Sequence, residues 1–208
     1  MNKKKLATVW LDGCSGCHLS LLDMDERLIE LSANFDLVYS PLVDNKIFPA
    51  DVDLALVEGS ISTDEDEHKI RMIRERTKIL VSLGDCAING NVPSMRNTFS
   101  LEGIFKRVYD ENVTERRPAP GNGLPKLLPR VRPVHEIVPV DIFVPGCPPS
   151  ANKIYELLRE LLASPASAPA DSAPVTAAKT AQPTAANPQA SATKPSQPSE
   201  TRPTPVGA

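Results

Sequence analysis

The chain has 208 residues, of which 41% are hydrophobic and 4% aromatic, and its formal net charge at neutral pH is −3. This length and composition predict one folded domain with a real core. The mild acidity gives no reason to expect nucleic acid or an anionic membrane surface as a partner. No apolar run approaches the roughly 20 residues of a transmembrane helix, so we expect no membrane insertion.

The first residues are basic and lead into a short apolar run that Asp12 interrupts. A secretory signal peptide has a longer apolar segment followed by a cleavage site with small residues. We therefore interpret this run as a first strand and expect a cytoplasmic protein, in which disulfides are rare and spaced cysteines more often serve metal or redox chemistry.

Apolar runs and amphipathic stretches alternate along most of the chain. Short apolar runs bounded by polar residues predict strands, and apolar residues at helical spacing predict helices. The predicted strands are LATVWL (6–11), FDLVYS (35–40), DLALVEG (53–59), KILVSLG (78–84) and DIFVPG (141–146). The predicted helices cover 19–33, a charged segment from the cap at Ser62 or Thr63 to 76, 99–110 and 150–162.

This alternation predicts an α/β fold with a flavodoxin-like, doubly wound, mainly parallel sheet. The predicted domain covers 1–163, and a proline-rich loop fills 111–140 with a short extended piece at 134–138. From 164 to 208 the chain is almost entirely Ala, Pro, Ser and Thr. Such a segment buries too little apolar surface to offset its ordering entropy, so we predict a disordered tail.

The chain contains four cysteines, and each follows the end of a predicted strand. Cys14 and Cys17 come after the first strand, Cys86 after the fourth and Cys147 after the fifth. Parallel strands end at the same edge of a sheet, which is also the edge where open α/β sheets bind ligands. We therefore expect the four thiols to converge on one site.

Four converging thiolates suit zinc or an iron–sulfur cluster. A thioredoxin-like dithiol would need only Cys14 and Cys17, and Cys14-x-x-Cys17-His18 also has the spacing of a c-type haem attachment site. Neither explains the other two cysteines, and haem attachment would require export. Flanking glycines and the Cys147-Pro148 pair favour a [4Fe–4S] cluster over zinc.

The motifs resemble a known family. VWLDGCSGCHLSLLDMDE, LVEGSI, GDCAINGNVPSMRN and FVPGCPPS together resemble the small subunit of [NiFe] hydrogenases, in particular the short one of cytoplasmic NAD-reducing, bidirectional hydrogenases. The resemblance covers most of 5–162. It implies that Cys14, Cys17, Cys86 and Cys147 hold one [4Fe–4S] cluster, and that a partner large subunit carries the nickel–iron site where H₂ is split or made.

The resemblance also implies a function for the chain: one-electron transfer between the nickel–iron site and diaphorase subunits that bind flavin and NAD and carry further iron–sulfur clusters. Many respiratory small subunits have extra ligands for two more clusters, but this chain has no spare cysteine. The 20 kDa-type subunit of complex I is related, although its first two ligands are adjacent Cys-Cys. Small subunits linked to NADP, F420 or ferredoxin are an alternative, and a zinc-stabilised interaction module without redox activity is another.

Two further residues bear on the predicted site. Many small subunits carry Glu directly before the first cysteine, whereas this chain has Gly13. A role in proton transfer that is assigned to that Glu therefore cannot be assigned to this chain. Glu58, at a strand end, is a candidate for a proton relay or a hydrogen-bonding group, and the alternative is an acid at a helix N-terminus or a simple surface carboxylate. Flavodoxin-like sheets also bind FMN, but the sequence shows no side-chain signature for it.

The cysteine edge is also where we expect the partner to bind. Apolar residues flank the cysteine motifs, and an isolated chain would expose them. The predicted apolar surface consists of Val92, Pro93, Met95, Val144, Pro145, Pro148 and Pro149.

Overall fold

The computed structural model describes residues 3–115, 118, 121 and 123–163. Its centre is a five-stranded parallel sheet formed by β1 (Lys4–Trp10), β2 (Phe35–Tyr39), β3 (Val52–Glu58), β5 (Thr77–Leu83) and β7 (Ile142–Val144). These strands lie side by side in the order β2-β1-β3-β5-β7. Counted along the chain, they have the spatial order 2-1-3-4-5, as predicted for a flavodoxin-like sheet.

Helices cover both faces of this sheet. They are α1 (Gly16–Leu22), α2 (Arg27–Ser32), α3 (Asp64–Glu75), α4 (Asp85–Asn89), α5 (Leu101–Lys106) and α6 (Ala151–Ala163). Short 3₁₀ turns occupy Pro93–Thr98 and Val134–Glu136, and one π-helical turn follows α5 at Arg107–Glu111. Thr63 begins α3 with a capping box, in which its hydroxyl accepts from the Asp66 amide while the Asp66 carboxylate accepts from the Thr63 amide.

Alternate residues of the central strands enter two separate cores. Val9 and Val57 point to the face covered by α3, where they meet Ile70 and Ile73. Leu54 and the other residues on its side of the sheet point to the face covered by α1, α2 and α6. Burial on both faces explains why these strands read as continuous apolar runs rather than as alternating patterns.

The prediction that 111–140 is only loop was wrong. Leu127–Arg132 forms strand β6, which pairs antiparallel with β4 (Ile61–Thr63) in a small second sheet. Asn97 clamps this strand, since its side-chain amide donates to Val131 O at 2.9 Å and accepts from Val131 N at 2.7 Å. The extended piece expected at 134–138 is instead the 3₁₀ turn, and only Val134 and Val138 are buried there.

The predicted helix over 19–33 is also corrected, because it is divided into α1 and α2. Asp25 lies between them with a φ of 49°, a left-handed conformation that no helix interior accommodates. Met24, which is only 1% exposed, anchors the break in the core. The helix predicted over 99–110 also ends differently, since its last turn is π-helical.

The predicted tail at 164–208, and with it the domain boundary, lies outside the described residues. Among the described helices, none combines the length and apolar character needed to cross a bilayer.

Candidate metal centre

The carboxyl edge of the sheet carries all the residues predicted for the site. Cys14 and Cys17 follow β1, Glu58 ends β3, Cys86 lies in α4 directly after β5, and Cys147 follows β7. These four strands are consecutive neighbours in the sheet. The fold therefore brings the four cysteines to one edge of the sheet. The carboxylate of Glu58 lies on β3, between the strand that precedes Cys14 and Cys17 and the strands that precede Cys86 and Cys147.

Cys17 packs directly against the turn that leads to Cys86. A Cβ atom built on Gly84 would lie 2.3 Å from the Cys17 Sγ atom, which is closer than real side chains approach. Gly84 also has a φ of 84°, a conformation that L side chains rarely adopt. Glycine at this position thus makes room for a cysteine contributed by another strand.

Backbone hydrogen bonds join the turn after β5 to the turn after β7. Gly84 N donates to Val144 O at 2.9 Å, and Asp85 N donates to Gly146 O at 2.9 Å. The Asp85 carboxylate accepts from Gly146 N at 2.8 Å. Asp85 directly precedes Cys86, and Gly146 directly precedes Cys147. The bonds between the two turns therefore fix the spacing between these two cysteines.

Asn91 adds a side-chain contact to a cysteine. Its Nδ2 donates to the Cys147 Sγ atom at 3.3 Å. Sequence reasoning singled out neither Asn91 nor Asp85, although both lie beside the cysteine motifs in GDCAINGN. A polar residue next to a thiol motif carries no distinguishing signal until the turns are folded.

Glu58 binds the start of α1. Its Oε2 accepts from the His18 backbone amide at 2.9 Å and lies 2.5 Å from the His18 ring atom Nδ1. Both side chains are almost fully buried, with 6% of His18 and 2% of Glu58 exposed. The sequence did not predict this pair, because the two residues are forty positions apart and their pairing has no local signature.

The thiols differ in burial and in electrostatic environment. Burial raises the pKa of the Cys17 thiol to about 12, and the negative charges of Glu58 and of the other three cysteines act in the same direction. Burial also raises the pKa of Cys86, with Cys147 and Cys14 contributing. Cys14 and Cys147 are exposed. Four such thiolates repel one another unless a positively charged group lies between them.

The donor set fits a polynuclear iron–sulfur cluster. Within the described part of the chain, no three His, Cys, Asp or Glu side chains lie close enough together to hold a single metal ion. A four-iron cluster imposes a different requirement, because each thiolate binds its own iron atom. At Gly84 the backbone lies directly against the Cys17 sulfur, with no side chain between them.

The apolar surface predicted around the cysteines is present in part. Val92 and Met95 are 63% and 67% exposed, Pro145 and Pro148 are exposed as well, and Pro93 is half-buried. These residues leave an apolar surface beside Cys86 and Cys147.

Two residues of the predicted surface are buried, so their inclusion was wrong. Val144 packs in the core, and the Pro149 carbonyl accepts from Ser20 Oγ at 2.5 Å. Phe99, which the sequence analysis did not include, is 69% exposed on the same segment as Met95.

Solved structures and characterised relatives resemble this chain over the same region. The crystal structure of an NAD⁺-reducing [NiFe]-hydrogenase in the H₂-reduced state contains a chain that is 39% identical, with a TM-score of 0.75, covering 78% of this chain and 92% of that one. The delta subunit of the NAD-reducing hydrogenase HoxS from Cupriavidus necator is 39% identical, covering 77% of this chain and 79% of that subunit.

A second kind of hydrogenase is equally similar. One subunit of the F420-non-reducing hydrogenase vhu from Methanocaldococcus jannaschii is 39% identical over 76% of this chain, but this chain spans only 56% of that relative's length. The family model described as the 20 kDa subunit of NADH ubiquinone oxidoreductase matches residues 14–161, from the first cysteine to the last described turn of α6. The predicted resemblance is thus confirmed, and the chain belongs to the family of the 20 kDa subunit of NADH ubiquinone oxidoreductase, in which it resembles hydrogenase small subunits.

Proposed function

We propose that this chain is the electron-transfer small subunit of an NAD-linked [NiFe] hydrogenase in the cytoplasm. In this proposal Cys14, Cys17, Cys86 and Cys147 hold one [4Fe–4S] cluster. The cluster, when bound, accepts and releases one electron at a time. A large subunit carries the nickel–iron site, and diaphorase subunits with flavin and further clusters pass the electrons to NAD⁺, so that the whole assembly interconverts H₂ + NAD⁺ and NADH + H⁺.

One observation carries this proposal: all four cysteines of the chain lie at the carboxyl edge of four neighbouring parallel strands. No cysteine is left over for a second cluster, so the next redox centre belongs to another subunit. The chain's own residues hold the site together. Gly84 admits the Cys17 side chain, the Asp85 carboxylate binds the turn of Gly146, and Asn91 donates to the Cys147 sulfur.

Exposure of two of the four thiols supports electron transfer to a partner. Cys14 and Cys147 lie at the surface, whereas Cys17 is buried. A group held by these four residues would reach from the interior of the chain to its surface. The exposed apolar side chains beside Cys147 would then bury against the large subunit.

Glu58 belongs to the proposed site as a hydrogen-bonding group. Its carboxylate binds the start of α1 through the His18 amide and ring, and so orients the helix that carries Cys17. A proton-relay role for Glu58 stays a prediction.

The electron acceptor has a specific alternative. Because a relative from a second kind of hydrogenase is as similar as the NAD-reducing one, similarity does not decide the acceptor. A hydrogenase linked to ferredoxin, NADP or F420 is the competing assignment. The acceptor site lies on partner subunits. Rates of H₂-dependent reduction of each acceptor by the native complex would distinguish these assignments.

The proposal is tested by metal analysis of the full chain purified without oxygen. We expect about four irons and four labile sulfides per chain, no zinc, and an EPR signal after reduction. Cys86→Ser should lower the iron content and abolish that signal. Ile29→Ser is the matched control, because Ile29 is 74% exposed on α2 and receives the same side chain outside the turns that carry the cysteines. One zinc and no iron would instead support the zinc-stabilised module without redox activity.

A further inference from the structure

His18 contains a buried polar atom that the described residues do not satisfy. Its Nδ1 faces Glu58, but Nε2, on the other side of the ring, has no hydrogen-bond partner among the described residues. The residue is only 5% exposed. Leaving a buried imidazole nitrogen unpaired is unfavourable, because the nitrogen loses its water without gaining a new partner.

The position of His18 indicates where that partner lies. His18 follows Cys17 directly in α1, and both residues are buried in the first turns of that helix. Glu58, which binds the His18 ring, is also close enough for its charge to act on the Cys17 thiol. The unpaired nitrogen therefore belongs to a side chain in the immediate surroundings of the candidate metal centre.

The chemistry of the candidate metal centre decides which role Nε2 takes. The sulfur atoms of thiolates and sulfides have lone pairs but no hydrogen, so they only accept hydrogen bonds. A ring nitrogen that bonds to such a sulfur is therefore the donor, while Nδ1 on the other side of the ring faces Glu58.

We infer that His18 Nε2 donates a hydrogen bond to a sulfur atom of the bound iron–sulfur cluster, with Glu58 as the residue that orients the ring. The inference rests on the proposed function, because the acceptor is the cluster's own sulfur. The arrangement matches a general pattern of metal sites, in which a carboxylate fixes an imidazole and the imidazole in turn modifies the metal group. His18 is thus a positioning and tuning residue rather than a ligand.

A hydrogen bond to a cluster sulfur favours the more negatively charged, reduced state. Loss of the donor should therefore lower the reduction potential. We expect that at a fixed potential the ratio of reduced to oxidised cluster falls about tenfold in His18→Phe, which is about 59 mV for a one-electron couple. His18→Gln retains an N–H donor and should recover part of the difference.

The experiment is an EPR-monitored redox titration of the full chain loaded with iron and sulfide. His68→Phe is the matched control, because His68 is exposed on α3 and receives the same substitution. A lower potential in His18→Phe, with His18→Gln between it and the unsubstituted chain, supports the inference. Equal potentials in His18→Phe and His68→Phe would overturn it.

A second measurement covers the case in which His18→Phe fails to bind the cluster. The unsubstituted chain is labelled with histidine that carries ¹⁵N only in its ring, and its reduced cluster is studied by pulsed EPR. A ¹⁵N hyperfine coupling that persists in His68→Phe and in His135→Phe, the variants of the other two histidines, supports the inference. A loaded cluster without any such coupling overturns it while leaving the proposed function intact. A chain that binds no iron–sulfur cluster at all would overturn both.

Discussion

Gly84 and Cys17, which lie far apart in the chain, are in such close contact that a methyl group on the glycine would overlap the cysteine sulfur. A Cβ atom at position 84 would approach Cys17 Sγ to 2.3 Å. The contact joins the end of β5, which leads to Cys86, to the helix after β1, which carries Cys17. The spacing between two of the proposed ligands thus depends on the absence of a side chain.

Gly84→Ala is expected to damage both the fold and the site. The new methyl group would displace Cys17, and the residue would be strained at a φ of 84°. Overpacking and backbone strain together predict a loss of about 2–4 kcal/mol in unfolding free energy. The iron content per chain should fall severalfold. Thermal unfolding and iron analysis measure the two effects.

Gly121→Ala serves as the control for this substitution, since none of the described residues lies within 4 Å of a Cβ atom at that position. Its stability and iron content should match those of the unsubstituted chain. If Gly84→Ala had the same stability and iron content as this control, the contact of Cys17 with the turn after β5 would not determine the spacing of the proposed ligands.

The raised pKa of Cys17 predicts how the iron-free chain reacts with iodoacetamide. The thiolate is the reactive form, so a thiol with a pKa of about 12 has only roughly one part in 10⁴ of thiolate at pH 8. Cys17 should therefore be alkylated far more slowly than the exposed Cys14 and Cys147. Its rate should increase about tenfold per pH unit until the pH approaches that pKa.

Glu58→Gln separates the two main causes of this shift. Burial is the largest cause and persists in the variant, while the negative charge of Glu58, the second cause, is removed. The pKa of Cys17 should fall toward its ordinary value, and alkylation at pH 8 should be faster. Peptide mapping by mass spectrometry gives the rate for each cysteine. An unchanged rate at Cys17 would mean that burial alone protects the thiol.

The sequence predicted the central sheet well because each of its strands is buried on both faces. Runs such as LATVWL and DLALVEG need no partner to be recognised, and the position of each cysteine after a strand end followed from them. The second sheet was missed for the opposite reason. LLPRVR contains a proline and two arginines, and β4 has only three residues, so neither segment shows a strand pattern on its own.

The pairing of Glu58 with His18 was beyond prediction for a related reason. One residue ends a strand and the other begins a helix after a different strand, and only the folded edge brings them together. The sequence predicted which strand ends would meet at this edge. It did not predict which side chains there would bind one another, since hydrogen bonds of 2.5–2.9 Å depend on local turn geometry that no residue pattern encodes.

The exposed apolar residues next to the cysteines should be required for assembly with the large subunit. Val92 and Met95 lie on the segment that Asn97 and Arg96 attach to β6, so they are held in place before any partner binds. Residues that are both exposed and fixed lose little conformational entropy on binding. Val92→Ser with Met95→Ser should weaken the affinity for the large subunit about tenfold or more, which is about 1.4 kcal/mol.

Leu42→Ser with Ile47→Ser is the matched control for this pair. These residues are 55% and 78% exposed in the loop after β2, which is at the opposite edge of the sheet from β7. Quantitative co-purification with the large subunit compares the two double variants, and iron analysis verifies that the site is still loaded in both. Because the control removes a similar apolar area, equal losses in the two variants would mean that general solubility, rather than a partner surface beside the cysteines, governs assembly.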